Sequence, residues 1–218
     1  GVNITGALRD KFVVGSVFRN QPRKFADRTF KAFKYFAKDK PDAVLLLHCD
    51  PNDVAQSFNM MAMIKELGIE NKVFFTGMKW YDGFSLEQMR SVYNVMDIFM
   101  LTTSGEGFGI PTIEAMACGV PPLCTDYTTS AELIIEDGQC GEMIMTNDVI
   151  TGSWNVPRGL CSIQDAVVKL DKFYNDWKTG GKLIEQYSKV GIEKVKKFYT
   201  WDNVAKQWDI FLREFIQK

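Results

Sequence analysis

The sequence predicts an α/β domain, a doubly wound parallel sheet covered by helices and followed by a C-terminal helical tail. Two observations carry that expectation. Short, continuously apolar runs alternate with longer amphipathic ones up to Met145, as strands buried on both faces require. Beyond Leu160, three amphipathic stretches follow one another with no strand between them.

Taken in order, Phe12–Phe18 reads as a buried strand. Pro22 then opens a helix whose Ala26, Phe30, Phe33 and Ala37 recur at three-to-four spacing and form one apolar face. Ala43–Cys49 is a second strand. Asp53–Leu67 reads as helical, with Gly68 at the left-handed cap. Lys72–Thr76 is a third strand. Ser85 and Gln88 form a capping-box pattern that starts a helix to about Val95. Asp97–Thr102 is a fourth strand, and the glycine loop Gly105–Gly109 leads to Pro111 and a helix ending near Gly119. Val120–Thr125, a short helix Ser130–Ile135 and a weaker strand Glu142–Met145 complete the alternation. Thr146–Leu160, with Gly152, Trp154, Pro157 and Gly159, reads as an irregular inserted surface loop, with an acceptor-facing role as one option. Ile163–Trp177, Lys182–Phe198 and Asp202–Ile216 read as the three helices of the tail. Residues 1–11 read as a linker or the start of a fragment, and residues 12–218 as one domain.

Composition narrows the function classes. The 218 residues carry 26 Lys+Arg against 27 Asp+Glu, a net charge of -1 that lacks the field of a general nucleic-acid binder. Sixteen Phe residues and 13% aromatics exclude a disordered chain. Five cysteines without a Cys-x-x-Cys pair argue against a disulfide framework or a zinc site, and for a reducing, cytoplasmic compartment. Apolar runs such as Ala43–Leu47 are far shorter than the ~20 residues of a membrane span. Gly1–Phe12, with Arg9, Asp10 and Lys11, has no signal-peptide core. Lys194, Lys196 and Lys197 read as a solvated helix face, with a membrane surface or partner as the lesser alternative.

Ligands of a doubly wound sheet gather outside the carboxyl ends of its strands. No P-loop pattern is present. The loop Gly105-Glu106-Gly107-Phe108-Gly109 fails the dinucleotide fingerprint, because Ile110 takes the third glycine position and the loop follows a late strand. Its glycines still let backbone amides approach a ligand, and the helix start behind it favours anions. Glu106 and Glu114 suit hydroxyl pairs of a ribose or hexose. On spacing alone a plain turn with a helix-start acid fits equally well. Arg19 and Lys24 bracket the turn Asn20–Arg23 at the end of the first strand. They read either as a solvated basic loop or as a grip on phosphate oxygens, Arg with its fork and Lys with its compact charge. Together, Arg19, Lys24 and the helix start would cradle a diphosphate between sugars held by the two glutamates. His48 has no paired nucleophile and reads as structural. The Phe30/Phe33/Phe36 and Met60/Met61/Met63 series read as helix packing.

The stretch Glu106-Gly-Phe-Gly-Ile-Pro-Thr-Ile-Glu114-Ala-Met-Ala-Cys-Gly-Val-Pro resembles the Glu-x7-Glu signature of family 4 (group 1) retaining glycosyltransferases. Gly15-Ser-Val-Phe-Arg19-Asn-Gln-Pro-Arg-Lys24 is similar to their diphosphate-binding loop. Val73-Phe-Phe-Thr-Gly77 and Tyr199-Thr-Trp201 also fit the pattern. The resemblance runs from Phe12 to the C-terminus and implies the donor-binding, C-terminal half of a two-domain GT-B enzyme. It implies that Arg19 and Lys24 neutralise the leaving diphosphate and that Glu114 binds the ribose. Glu106 and the amides of Gly107, Phe108, Gly109 and Ile110 would hold the transferred sugar, with Lys79 near the base. It implies retention without a bound metal or cofactor, and the chain has no Asp-x-Asp pair.

The function expected is therefore a retaining glycosyltransferase donor domain that binds a nucleotide-diphosphate sugar. The sugar, glycan or lipid acceptor would be held by an N-terminal domain that has no counterpart in these residues, so the isolated chain should not transfer. Asp82, close after Lys79, could serve guanine, which favours GDP-mannose with UDP-sugars next. The alternatives are a GT-B nucleotide-sugar epimerase and a non-catalytic nucleotide-sugar-binding domain. Product analysis of the full-length protein separates the three.

Overall fold

The computed structural model describes residues 6, 8–54, 57–79 and 81–216. Six strands form one fully parallel sheet: β1 (Phe12–Val17), β2 (Ala43–His48), β3 (Val73–Phe75), β4 (Ile98–Leu101), β5 (Pro122–Thr125) and β6 (Glu142–Ile144). Their order is β3-β2-β1-β4-β5-β6. All residues of β1, β2, β4 and β5 are buried, which is why these strands read as unbroken apolar runs rather than as alternating ones.

Helices α1 (Ala26–Phe36), α2 (Met60–Leu67), α3 (Leu86–Tyr93), α4 (Ile110–Ala117) and α5 (Ser130–Ile134) connect the strands. After the sheet come α6 (Ile163–Lys178), α7 (Lys182–Lys194), a π-helical turn (Val195–Tyr199) and α8 (Trp201–Ile216). Helix α1 packs on α2 and α6, and α4 packs on α7. The expected apolar face is in the core: Ala26, Phe30, Phe33 and Ala37, the last at the end of α1, are all at most 2% exposed. Phe12, Phe36, Tyr174 and Trp177 bring β1, α1 and α6 together with ring centroids 5.5–6.0 Å apart, a geometry that adds to their area burial. Ser85 and Gln88 form the capping box at the start of α3. All five cysteines are free. Among the described residues no helix is long and apolar enough to cross a membrane.

Four expectations need correction. The helix drawn from Pro22 is broken: Pro22–Lys24 is a 3₁₀ turn closed by Phe25 at φ 45°, and α1 begins only at Ala26. Left-handed backbone at a phenylalanine is uncommon. The helix drawn from Asp53 begins at Met60, capped by Asn59, whose side chain accepts from the Ala62 amide. Residues 55 and 56 lie outside the described residues, while Asp53 is drawn to Arg19 and Phe58 exchanges two hydrogen bonds with the Asn20 side chain. Local polar ties to the β1 loop thus override helical periodicity there. The stretch from Thr146 is an antiparallel hairpin, β7 (Thr146–Thr151) with β8 (Pro157–Cys161), carrying an irregularity between Thr146 and Asp148. Most of β7 is exposed, with no buried face to produce an alternating pattern. Finally, Lys194 is buried and donates to the Leu133 carbonyl at 3.0 Å, while Lys196 and Lys197 are exposed. Of the lead 1–11, residues 1–5 and 7 lie outside the described residues; Leu8 is packed in the core and its carbonyl accepts from Lys11.

Candidate functional site

Strand order reverses between β1 and β4, which opens a crevice at their carboxyl ends. The loops that follow these two strands meet there and are stitched by consecutive hydroxyl residues. The Ser104 amide donates to the Arg23 carbonyl at 2.7 Å, and the Ser104 and Thr103 hydroxyls donate to the same oxygen at 3.0 and 3.2 Å. The Thr102 hydroxyl donates to the Phe25 carbonyl at 3.1 Å. Thr102, Thr103 and Ser104 are buried, so these bonds satisfy groups that water cannot reach.

That stitching sets the basic loop against the glycine loop. Lys24 Nζ lies 2.6 Å from Glu106 Oε1, and Arg23 Nη1 lies 2.9 Å from Glu106 Oε2. Arg23 also donates to the Gly105 carbonyl at 3.2 Å. Burial raises the Glu106 carboxyl, but the hydrogen bond and charge of Lys24 outweigh it and hold the group below the usual glutamate range. Burial pushes the Lys24 ammonium down despite its partner. On the far side of the loop, Arg19 makes a forked pair with buried Asp53, Nε to Oδ2 at 2.6 Å and Nη2 to Oδ1 at 3.1 Å.

A cleft of about 340 Å³ opens between these groups, lined by Arg19, Arg23, Lys24, His48, Asp50 and Pro111 among others. His48 Nδ1 sits 2.9 Å from the Thr76 hydroxyl with its ring edge-on to Phe84. Burial lowers its pKa.

Gly109 caps α4 at φ 91°, and a Cβ there would stand 2.9 Å from Leu133 Cδ1, so the position admits only glycine comfortably. Among the described residues, the amides of Gly107, Phe108, Gly109 and Ile110 donate to no protein acceptor. Gly107, Phe108 and Ile110 are exposed. Phe108 is backed edge-on by Tyr199 at 6.1 Å, which ties the glycine loop to the tail. Glu114, a turn further along α4, accepts from the Tyr93 hydroxyl at 2.7 Å.

The structure thus brings Arg19, Lys24, Glu106 and the start of α4 to one crevice, with Glu114 one turn behind. Lys79 is apart from them: it is exposed, its carbonyl accepts from the Asp82 amide at 3.1 Å, and Met78 is the residue of that segment lining the cleft. Two participants escaped the sequence. Arg23 reads as one more turn residue, and no sequence motif singles out Tyr93, which the structure buries on α3. Chemically, the crevice offers cations and free amides for an anion beside carboxylates for hydroxyls.

Known proteins give this arrangement a family. The chain is 28% identical over 153 residues to the D-inositol 3-phosphate glycosyltransferase of Mycolicibacterium smegmatis, an alignment covering 69% of this chain and 32% of that protein. The chain spans about a third of the length of the first curated relatives it matches. Its fold superposes on the C-terminal domain of the group 1 glycosyl transferase LpcC from Francisella tularensis with a TM-score of 0.68 at 22% identity, covering 91% of each chain. It also superposes on Anabaena HepE, solved with UDP and glucose, with a TM-score of 0.71 at 18% identity, covering 98% of this chain and 51% of that one. The family described as glycosyl transferases group 1 matches residues 3–189, and with that match the chain belongs to the group 1 glycosyltransferases.

Proposed function

We propose that this chain is the nucleotide-sugar-binding half of a glycosyltransferase that transfers a hexose with retention and without a metal ion. The observation that carries the reading is the meeting of Lys24 and Glu106, 82 residues apart in sequence and 2.6 Å apart in space, beside the uncommitted amides of α4. In this reading Lys24, Arg19 and the helix start take the diphosphate, so side chains supply the positive charge that stabilises the leaving group. Glu114, oriented by Tyr93, takes the ribose hydroxyls. Glu106 accepts from the transferred sugar while keeping both cations, because a carboxylate has about four acceptor positions and two are engaged.

For the base we favour uracil over guanine. HepE is solved with UDP, whereas Asp82, the candidate partner for guanine, is exposed in a turn with Lys79, and among the described residues no side-chain contact holds it toward the cleft. The acceptor would meet the donor only with chain beyond these residues, since transfer depends on orientation and exclusion of water. Calorimetry with the 218-residue chain tests the binding half. UDP should bind more tightly than GDP and far more tightly than uridine, unchanged by EDTA. Glu114→Ala should weaken UDP and UDP-sugar alike, whereas Glu106→Ala should weaken only the UDP-sugar. Uridine bound as tightly as UDP, or equal losses of free UDP in both variants, would remove these assignments. A new glycoside from the full-length protein, against an epimer or no product, tests the transferase.

A further inference from the structure

Across Arg23 from the cleft lies a second and larger hollow of about 560 Å³, between the basic loop and the β7–β8 hairpin. Gln21 and Arg23 line both hollows, and the hairpin contributes Ile150, Ser153 and Arg158 to the second. That wall is tied to the rest of the fold. The Gly159 amide donates to the Ser104 carbonyl at 3.1 Å, and Arg28 Nη1 reaches the Cys161 carbonyl at 2.5 Å, fixing the end of β8 to α1. A Cβ on Gly159 would lie 2.6–3.0 Å from Tyr127 ring atoms, so the strand passes flat against that ring.

Three cations crowd this corner around one carboxylate. Lys24 and Arg23 share Glu106, whereas the Arg158 side chain makes no ion pair or hydrogen bond among the described residues. Arg158 is nonetheless half-buried and held in place. Its stem lies over Gly152, where a Cβ would stand 2.7 Å from Arg158 Cγ, and its Nη1 comes within 3.4 Å of where a Cβ on Gly105 would stand. Arg23 Nη1 donates to the Gly105 carbonyl at 3.2 Å, so two guanidinium groups converge on one glycine.

Like charges this close repel, and a guanidinium drawn partly out of water without a counter-charge is unfavourable. An oxyanion between the two relieves both costs, since the planar fork of each arginine matches a phosphate or carboxylate. Arg23 keeps donors for it, because its bonds to Glu106 and Gly105 both run through Nη1. The lining also carries Pro22, Phe25 and Ile150, which suit the body of an organic ligand better than a bare, hydrated ion.

We propose that this hollow is a second oxyanion site, apart from the diphosphate cleft, for a small molecule that joins a phosphate or carboxylate to an apolar body. Arg158 and Arg23 hold the oxyanion, and Pro22, Phe25 and Ile150 cover the body. The site stands on the hairpin and does not depend on the donor reading above.

The test titrates the 218-residue chain with phenyl phosphate, benzoate, phenol and inorganic phosphate, each with and without saturating UDP, and follows backbone amides by NMR. Phenyl phosphate or benzoate should bind at least tenfold more tightly than phenol or inorganic phosphate, with and without UDP alike. The tighter of the two anions identifies the headgroup. Arg158→Gln should weaken that binding at least tenfold and leave UDP affinity within twofold, with an unchanged melting temperature; Arg158→Lys should recover part of it. Displacement by UDP would place the anion in the first cleft and overturn the proposal. So would no binding of either aromatic anion, affinity unaffected by Arg158→Gln, or phenol or inorganic phosphate bound as tightly. Aromatic-anion binding through Arg158 in a chain that does not bind UDP supports this site and overturns the donor reading instead.

Discussion

The two hollows share Arg23 and are built on opposite electrostatic plans. In the cleft every cation is already matched: Arg19 with Asp53, and Lys24 and Arg23 with Glu106. In the hairpin hollow Arg158 has no carboxylate among the described residues. A matched set keeps its geometry without a ligand, because each charge is held by its partner and the local field is small. Its ligand must then share donors with the resident carboxylates, and affinity reflects an exchange. An unmatched guanidinium offers all five donors at once, so affinity there reflects new pairing. The comparison teaches that the number of cations in a crevice says less about anion binding than the number not already engaged.

The largest expected effect comes from breaking the matched set. Lys24→Ala leaves Glu106 buried with Arg23 alone, and Lys24 is only 6% exposed. Breaking a buried pair ordinarily costs about 3–5 kcal/mol, and the remaining arginine should keep the loss near about 2–3. The double variant Lys24→Ala/Glu106→Ala should regain part of that stability in urea unfolding without regaining UDP affinity. A double variant less stable than the sum of the singles would mean that the pair is not the coupling unit.

Next comes Gly159→Ala, which attacks the hairpin and spares the cleft. The added methyl collides with the Tyr127 ring, and overpacking of this kind costs about 1–3 kcal/mol. Because the cleft is carried by the β1 and β4 loops, UDP affinity should change less than threefold. A UDP loss as large as that of Lys24→Ala would show that the two hollows act as one.

Acid should separate the two plans as well. Glu106 is held below its ordinary value, so its contribution to stability is present above about pH 4.5 and is lost as pH falls through its lowered folded value. Asp97, at the opposite end of the sheet, has the opposite sign. Burial pushes it up to about 6, against the pull of the Val13 amide that donates to it at 2.7 Å. Stability should therefore fall as pH rises from the ordinary aspartate value of 3.8 through about 6. Asp97→Asn should flatten that limb and add on the order of 1–3 kcal/mol at neutral pH. Glu106→Gln should flatten only the acid limb. Urea unfolding from pH 3 to about 8 reads both.

How much of this the sequence discloses depends on what dictates each part. Strands such as Ala43–His48 are legible because burial on both faces demands an unbroken apolar run. Glu106, Arg19 and Lys24 are legible because a strand's carboxyl end marks where ligands gather. The matching of charges is not legible: Asp53 looked like a helix residue, whereas the Asn20–Phe58 tie draws its segment toward Arg19. The hairpin is invisible for a related reason, since Gly152, Pro157 and Gly159 punctuate it while the side chains of β7 find no buried face. Arg158 could not be distinguished from any surface arginine before Ser104 and Tyr127 placed its strand.

The smallest expected effect lies at the hairpin tip. Trp154 is 95% exposed at φ 62°, followed by Asn155 at φ 56°. A bulky residue in left-handed backbone costs about 1 kcal/mol, and an indole this exposed regains little by burial. Trp154→Gly removes the strain but frees the unfolded chain, which costs about 0.5–1 kcal/mol. The two nearly cancel, so the variant should match the parent within about 0.5 kcal/mol in urea unfolding. Trp154→Ala keeps the strain and should differ no more. Neither should alter UDP affinity, because the cleft is lined by Arg19, Arg23, Lys24 and His48 rather than by the indole. A Trp154→Gly variant destabilised by more than about 1 kcal/mol would show that the indole is packed rather than exposed.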